Sequence, residues 1–97
     1  MAHKYSKRYL DKIENLFAAS DYILRYEKGN FKSGYCILKE NKVVVVNKYF
    51  PLEGKVNALI DILKELQFDP KDFSLKANQE LILEIQQTQL KLWKLHF

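Results

Sequence analysis

Four consecutive valines, Val43 to Val46, interrupt an otherwise mixed pattern of apolar and polar positions. β-Branched residues favour strands. Side chains alternate across a strand, so Val43 and Val45 face one way and Val44 and Val46 the other. A strand with one wet face alternates apolar with polar. This one does not, and the pattern predicts cover on both faces. N-terminal to it, Tyr5, Tyr9, Ile13, Leu16 and Phe17 recur at helical spacing and predict a helix over about 5–19. Residues 22–27 then read as a strand, with Tyr22, Leu24 and Tyr26 on one face and Ile23, Arg25 and Glu27 on the other. Gly29, Asn30 and Gly34 mark a turn. A second strand follows over 35–39, with Tyr35 and Ile37 opposite in sense to Cys36 and Leu38. Glu40-Asn41 permits a tight hairpin into the valine strand, with Asn41 able to take a left-handed conformation.

Pro51 suits the start of a helix, where its missing N–H costs nothing. The second helix is expected over about 52–67. Val56, Leu59, Ile60, Leu63 and Leu66 form its buried stripe, and Asn57, Asp61, Lys64 and Glu65 its wet side. Gly54 costs up to roughly 1 kcal/mol there against alanine. A third helix starts near Ser74, a good N-cap residue, or a few residues later. Its apolar positions, Leu81, Ile82, Leu83 and Ile85, then Leu90, Leu92, Trp93, Leu95 and Phe97, point in more than one direction. Either this helix is wrapped on two sides or part of it is a contact surface. The expected fold is α+β in one domain, 1–97: helix, three-stranded antiparallel meander, two further helices. In a meander the valine strand lies at an edge. An apolar edge strand tends to pair with another chain, and this motivates the expectation of a homodimer.

Composition narrows the class of protein. The chain is 47% hydrophobic and 13% aromatic, ordinary for one modest globular core. Its net charge of +4 is all N-terminal: residues 1–50 carry ten Lys/Arg against five Asp/Glu, and residues 51–97 carry six against seven. The single cysteine, Cys36, cannot form an internal disulfide, which suggests a reducing, cytoplasmic home. The first residues lack the apolar core of a signal peptide, and no apolar run approaches membrane-spanning length.

Few residues carry candidate chemistry. Asp61 and Glu65, four apart on the second helix, share a face and have the chemistry to hold a hard metal or move a proton. They read more plainly as the wet side of an amphipathic helix. Cys36 reads as a small core residue rather than a nucleophile. His3 and His96 sit near opposite ends. No catalytic residue, metal ligand or cofactor is therefore assigned. The tyrosines are interleaved with cations, as in proteins that stack bases and neutralise phosphates. Lys4, Arg8, Lys12, Arg25, Lys28, Lys32 and Tyr35 are the candidate nucleic-acid contacts. The plainer reading packs the tyrosines between sheet and helix with their hydroxyls wet.

Arg25-Tyr26-Glu27-Lys28-Gly29, Gly34-Tyr35-Cys36, and Val45-Val46-Asn47-Lys48 followed by Pro51-Leu52-Glu53 resemble a family of short uncharacterised bacterial proteins of Bacteroidetes type. That resemblance spans Tyr9 to about Leu66 and implies no known activity. Residues 43–66, a strand ending in Asn47, then Pro51 and an apolar helix, are similar to the core of small zinc metallopeptidase domains. The His-Glu-x-x-His motif is missing: Asp61, Ile62 and Glu65 stand near its positions. The resemblance thus implies at most a degenerate relative without activity. The expected function is a small non-catalytic protein-interaction module, with Ile62, Leu83, Leu90 and Trp93 as candidate partner contacts. RNA or single-stranded DNA binding by the basic N-terminal half is the alternative. No membrane association is expected.

Overall fold

The computed structural model describes residues 6–28 and 34–95, with residues 87–95 described by their main chain alone. Helix α1 spans Lys7–Ala19, strands β1, β2 and β3 span Ile23–Glu27, Tyr35–Leu38 and Val43–Asn47, helix α2 spans Leu52–Leu66, and helix α3 spans Lys76–Leu95. A 3-10 turn at Pro70–Asp72 precedes α3. The α+β class and the element order are those expected from the sequence. Among the described residues no helix is long and apolar enough to cross a membrane.

Helix α1 begins at Ser6, whose Oγ accepts a hydrogen bond from the Tyr9 N–H at 3.1 Å. It buries Leu10, Ile13, Leu16 and Phe17. Ile13, Leu16 and Phe17 are buried as expected, whereas Tyr9 is only half-buried and Leu10 is buried beside it; Tyr5 lies outside the described residues. At the other end the Ser20 N–H donates to the Phe17 carbonyl at 3.0 Å and closes the helix.

The sheet departs from the expected meander. Its order is β1-β3-β2, with β3 parallel to β1 and antiparallel to β2. Only β2 and β3 form a hairpin, and its left-handed residue is Lys42, at φ 55°, rather than Asn41. The valine strand is central, not an edge, and the premise of the expected homodimer falls with that. The physical reason lies in the strands themselves. β3 carries the most continuous apolar run and gains most from a neighbour on each side, whereas β1 carries Arg25 and Glu27, which suit an edge.

Cross-strand register divides the sheet into two faces. Leu24, Val44 and Ile37 lie in one row and Tyr26, Val46 and Tyr35 in the next, on the face covered by the helices. Val44 and Val46 are fully buried there. The other face carries Ile23, Val43 and Leu38, then Arg25, Val45 and Cys36. Val43 and Val45 are half-buried while Ile23 and Leu38 are exposed. Cover on both faces, as the valine run predicts, is thus complete on one face only.

Helix α2 packs against β3, α1 and α3 together. Burial therefore wraps well beyond one stripe and takes in Ala58 and Ile62 as well as Val56, Leu59, Ile60 and Leu63. Pro51 occupies its N-cap with extended geometry, and Gln67 ends it at φ 52°. An aromatic group joins the layers: Phe68 lies 6.0 Å from Phe17, 5.9 Å from Tyr22 and 5.7 Å from Phe73, centroid to centroid. Helix α3 contributes Leu81, Ile82 and Ile85 to the same core.

Candidate functional site

Among the described residues, a central β3 leaves β1 with one lateral side unpaired. The Ile23 N–H donates to the Lys42 carbonyl at 2.9 Å, and the Lys48 N–H donates to the Glu27 carbonyl at 3.1 Å. In a parallel ladder alternate residues of a strand address the same neighbour. Ile23, Arg25 and Glu27 therefore turn their main chain to β3, and Leu24 and Tyr26 turn theirs outward. At the start of the strand this outward side is already closed: the Tyr22 N–H donates to Ser20 Oγ at 3.0 Å. Beyond it the outward N–H and C=O of Leu24 and Tyr26 form an open template.

The template faces a groove of about 430 Å³ between β1 and α1. Glu14, Phe17 and Ala18 line it from the helix, Ser20, Asp21 and Tyr22 from the turn, and Ile23, Leu24 and Tyr26 from the strand. Helical spacing accounts for this wall: positions 14, 17 and 18 share one side of α1. The Tyr26 hydroxyl donates to Glu14 Oε2 at 2.6 Å. Burial, that bond, and the charges of Glu14 and Asp11 push the Tyr26 phenol well above its ordinary range. Lys55 lies 5.1 Å from the Tyr26 ring centroid. At the other end Lys42 lies 5.6 Å from the Tyr22 ring and 3.9 Å from Asp21 Oδ2. Among the described residues the groove's own lining holds two carboxylates, Glu14 and Asp21, and no cation.

The residues singled out from the sequence are scattered. Arg8 and Lys12 are exposed on α1, and Lys28 is exposed just after β1. Arg25 lies on the open sheet face, paired with Glu27 at 2.8 Å. Tyr35 lies on the opposite, helix-covered face, where burial and then the charges of Asp61 and Glu65 raise its phenol. Arg25 and Tyr35 therefore do not share a surface, because their strands place them on opposite sides of the pleat. Lys4 and Lys32 lie outside the described residues. Of the expected partner contacts, Ile62 is 0% exposed and cannot touch a partner, since α2 is wrapped on the side that carries it. Leu83 is 44% exposed. The side chains of Leu90 and Trp93 lie outside the described residues.

Asp61 and Glu65 are both exposed, and Glu65 stands 3.9 Å from Lys39. Among the described residues no group of three or more His, Cys, Asp or Glu side chains is placed to hold a metal. Cys36 is a free thiol, half-buried on the open sheet face. The groove residues Glu14, Ala18, Ser20 and Asp21 were not singled out as a site from the sequence. What makes them a site is the strand order, and no local pattern encodes that. No family model matches the chain, and neither a curated protein nor a solved structure matches it.

Proposed function

We propose that the protein is a small cytoplasmic, non-catalytic interaction module that receives an extended segment of a partner protein as an added strand on β1. One observation carries this reading: the outward main chain of Leu24 and Tyr26 borders an open groove rather than bulk solvent alone. Strand addition draws affinity from main-chain hydrogen bonds and selectivity from pockets that take alternate side chains. Both parts are to hand here, the template in β1 and the wall in α1. Edge strands not meant to pair are commonly blocked by proline, a bulge or an inward-pointing charge. β1 carries no proline, pairs with β3 residue for residue over five positions, and points its charges to the open face.

The test is amide hydrogen exchange with and without a panel of extended peptides. In the free protein the Arg25 and Glu27 amides are protected by β3 and those of Leu24 and Tyr26 exchange rapidly. A bound strand slows Leu24 and Tyr26. Protection of both amides in the free protein, or no change with any peptide, refutes the reading.

RNA or single-stranded DNA binding is the competing proposal. The disposition of Arg25 and Tyr35 on opposite faces counts against it. Filter binding across a salt series measures it directly, since phosphate contacts weaken steeply with salt. A degenerate metallopeptidase-like domain is the third. A calorimetric zinc titration without heat removes residual metal affinity at Asp61 and Glu65. A homodimer now needs a surface other than β3.

A further inference from the structure

We infer that the segment taken up on β1 carries an apolar side chain two residues from a lysine or arginine, the apolar one beside Leu24 and Ala18 and the cation beside Glu14. This rests on the strand-addition reading above and specifies its ligand. Residues directly opposite one another on neighbouring strands point to the same face. The positions opposite Leu24 and Tyr26 therefore both turn toward α1, and the residue between them turns to the open face beside Arg25. Opposite Leu24 the wall is apolar, made by the exposed Ala18, with Phe17 buried beneath it. Opposite Tyr26 it is the Glu14 carboxylate, which accepts one bond from the Tyr26 hydroxyl at 2.6 Å and has acceptor capacity left.

Charge sets the sign of the second residue. The chain is +4 overall, yet among the described residues this groove is lined by Glu14 and Asp21 and by no cation, and Asp11 lies close enough to act on Tyr26. Lys42 answers Asp21 at 3.9 Å, and Lys55 sits over the Tyr26 ring rather than on Glu14. The partner's cation is thus wanted at the Glu14 end. Ser20 closes the other end by taking the Tyr22 N–H, so the frame is short and spans Leu24 to the end of β1. A second copy of this chain is a poor occupant. Its β1 would offer Leu24 and Tyr26 to the groove and no cation, and would bring a second Glu14 and Asp21 to the same cleft.

The experiment uses the full-length, isotope-labelled chain and acetylated, amidated heptapeptides. The two leads are Ser-Thr-Val-Thr-Lys-Thr-Ser and the reversed order Ser-Thr-Lys-Thr-Val-Thr-Ser. Controls carry glutamate or norleucine in place of lysine. Affinity is read by NMR titration and the site by protection of the Leu24 and Tyr26 amides. One lysine peptide is expected to bind better than its norleucine control by about two- to fivefold, the worth of an ion pair near the surface. The glutamate peptide is expected to be weakest, and which order wins gives the strand direction. Glu14→Gln keeps an acceptor for Tyr26 and removes the charge, so it should abolish the preference. Loss of the preference at high salt in the unaltered protein gives the same answer without a substitution.

Equal binding of all peptides with the two amides protected overturns the inference and leaves strand addition standing. A lysine preference that survives Glu14→Gln and high salt also overturns it, as does one without protection at Leu24 and Tyr26. If no peptide protects those amides, both readings fall.

Discussion

Gly34→Ala should destabilise the protein by more than any surface substitution, for two separable reasons. Gly34 sits at φ 84°, a region that L side chains rarely adopt. The left-handed conformation costs a residue with a Cβ about 1–2 kcal/mol. A Cβ at this position would also lie 1.9 Å from Phe50 Cζ and 2.4 Å from Cε2. The ring cannot withdraw freely. Gly54 borders it near Cγ, where a Cβ built on that glycine would lie only 3.2 Å away. Overpacking of this kind costs about 1–3 kcal/mol, so the sum is about 2–5 kcal/mol. Urea denaturation monitored by far-ultraviolet circular dichroism gives the value. A double-mutant cycle separates the parts. In a Phe50→Ala background the ring is gone, and Gly34→Ala should then cost only the backbone share of about 1–2 kcal/mol. A loss under about 0.5 kcal/mol, within the range of ordinary surface changes, would refute the reasoning at its root. The same loss with and without the Phe50 ring would show that the close contact is not its cause.

Other outcomes follow from burial and titration. Ile62→Ala should cost about 2–5 kcal/mol as a fully buried deletion, and Leu83→Ala under about 1 kcal/mol at an exposed position; equal losses in denaturant melts would contradict the placement of α2. The phenols of Tyr9, Tyr26 and Tyr35 are all raised above 10.0 in the folded chain, burial being the largest cause in each. The folded state thus holds these protons more tightly than the unfolded state does. Their contribution is fully present below about pH 10 and is lost as pH rises through the raised values. Midpoint denaturation should accordingly fall above pH 10, and less so in Tyr26→Phe; a variant with the same alkaline slope would exclude Tyr26 as a source. At neutral pH Tyr26→Phe should itself cost about 1–2 kcal/mol, because the hydroxyl's bond to the Glu14 carboxylate is lost.

What local pattern determines is clear in this chain. A period near two placed Tyr22, Leu24 and Tyr26 on one face of β1 and Tyr35 and Ile37 on one face of β2. A period near 3.6 found Ile13, Leu16 and Phe17 on the buried side of α1 and Val56, Leu59, Ile60 and Leu63 on that of α2, because each side chain's direction depends only on its own stretch of backbone. Strand order has no such local origin. Whether Val43–Asn47 lies beside β2 alone or between β1 and β2 is decided by which pairing buries most apolar surface across segments distant in sequence. Ile62 lies outside the one stripe expected of α2 and reads there as a partner contact, yet the structure buries it because β3, α1 and α3 meet that helix together. The groove has the same origin. Glu14, Ala18, Leu24 and Tyr26 carry no motif, and the outward turn of Leu24 and Tyr26 exists only because β3 took the other side of β1. Periodicity belongs to single segments and could be read from residues alone; adjacency is a property of the folded chain, settled by competition among its surfaces.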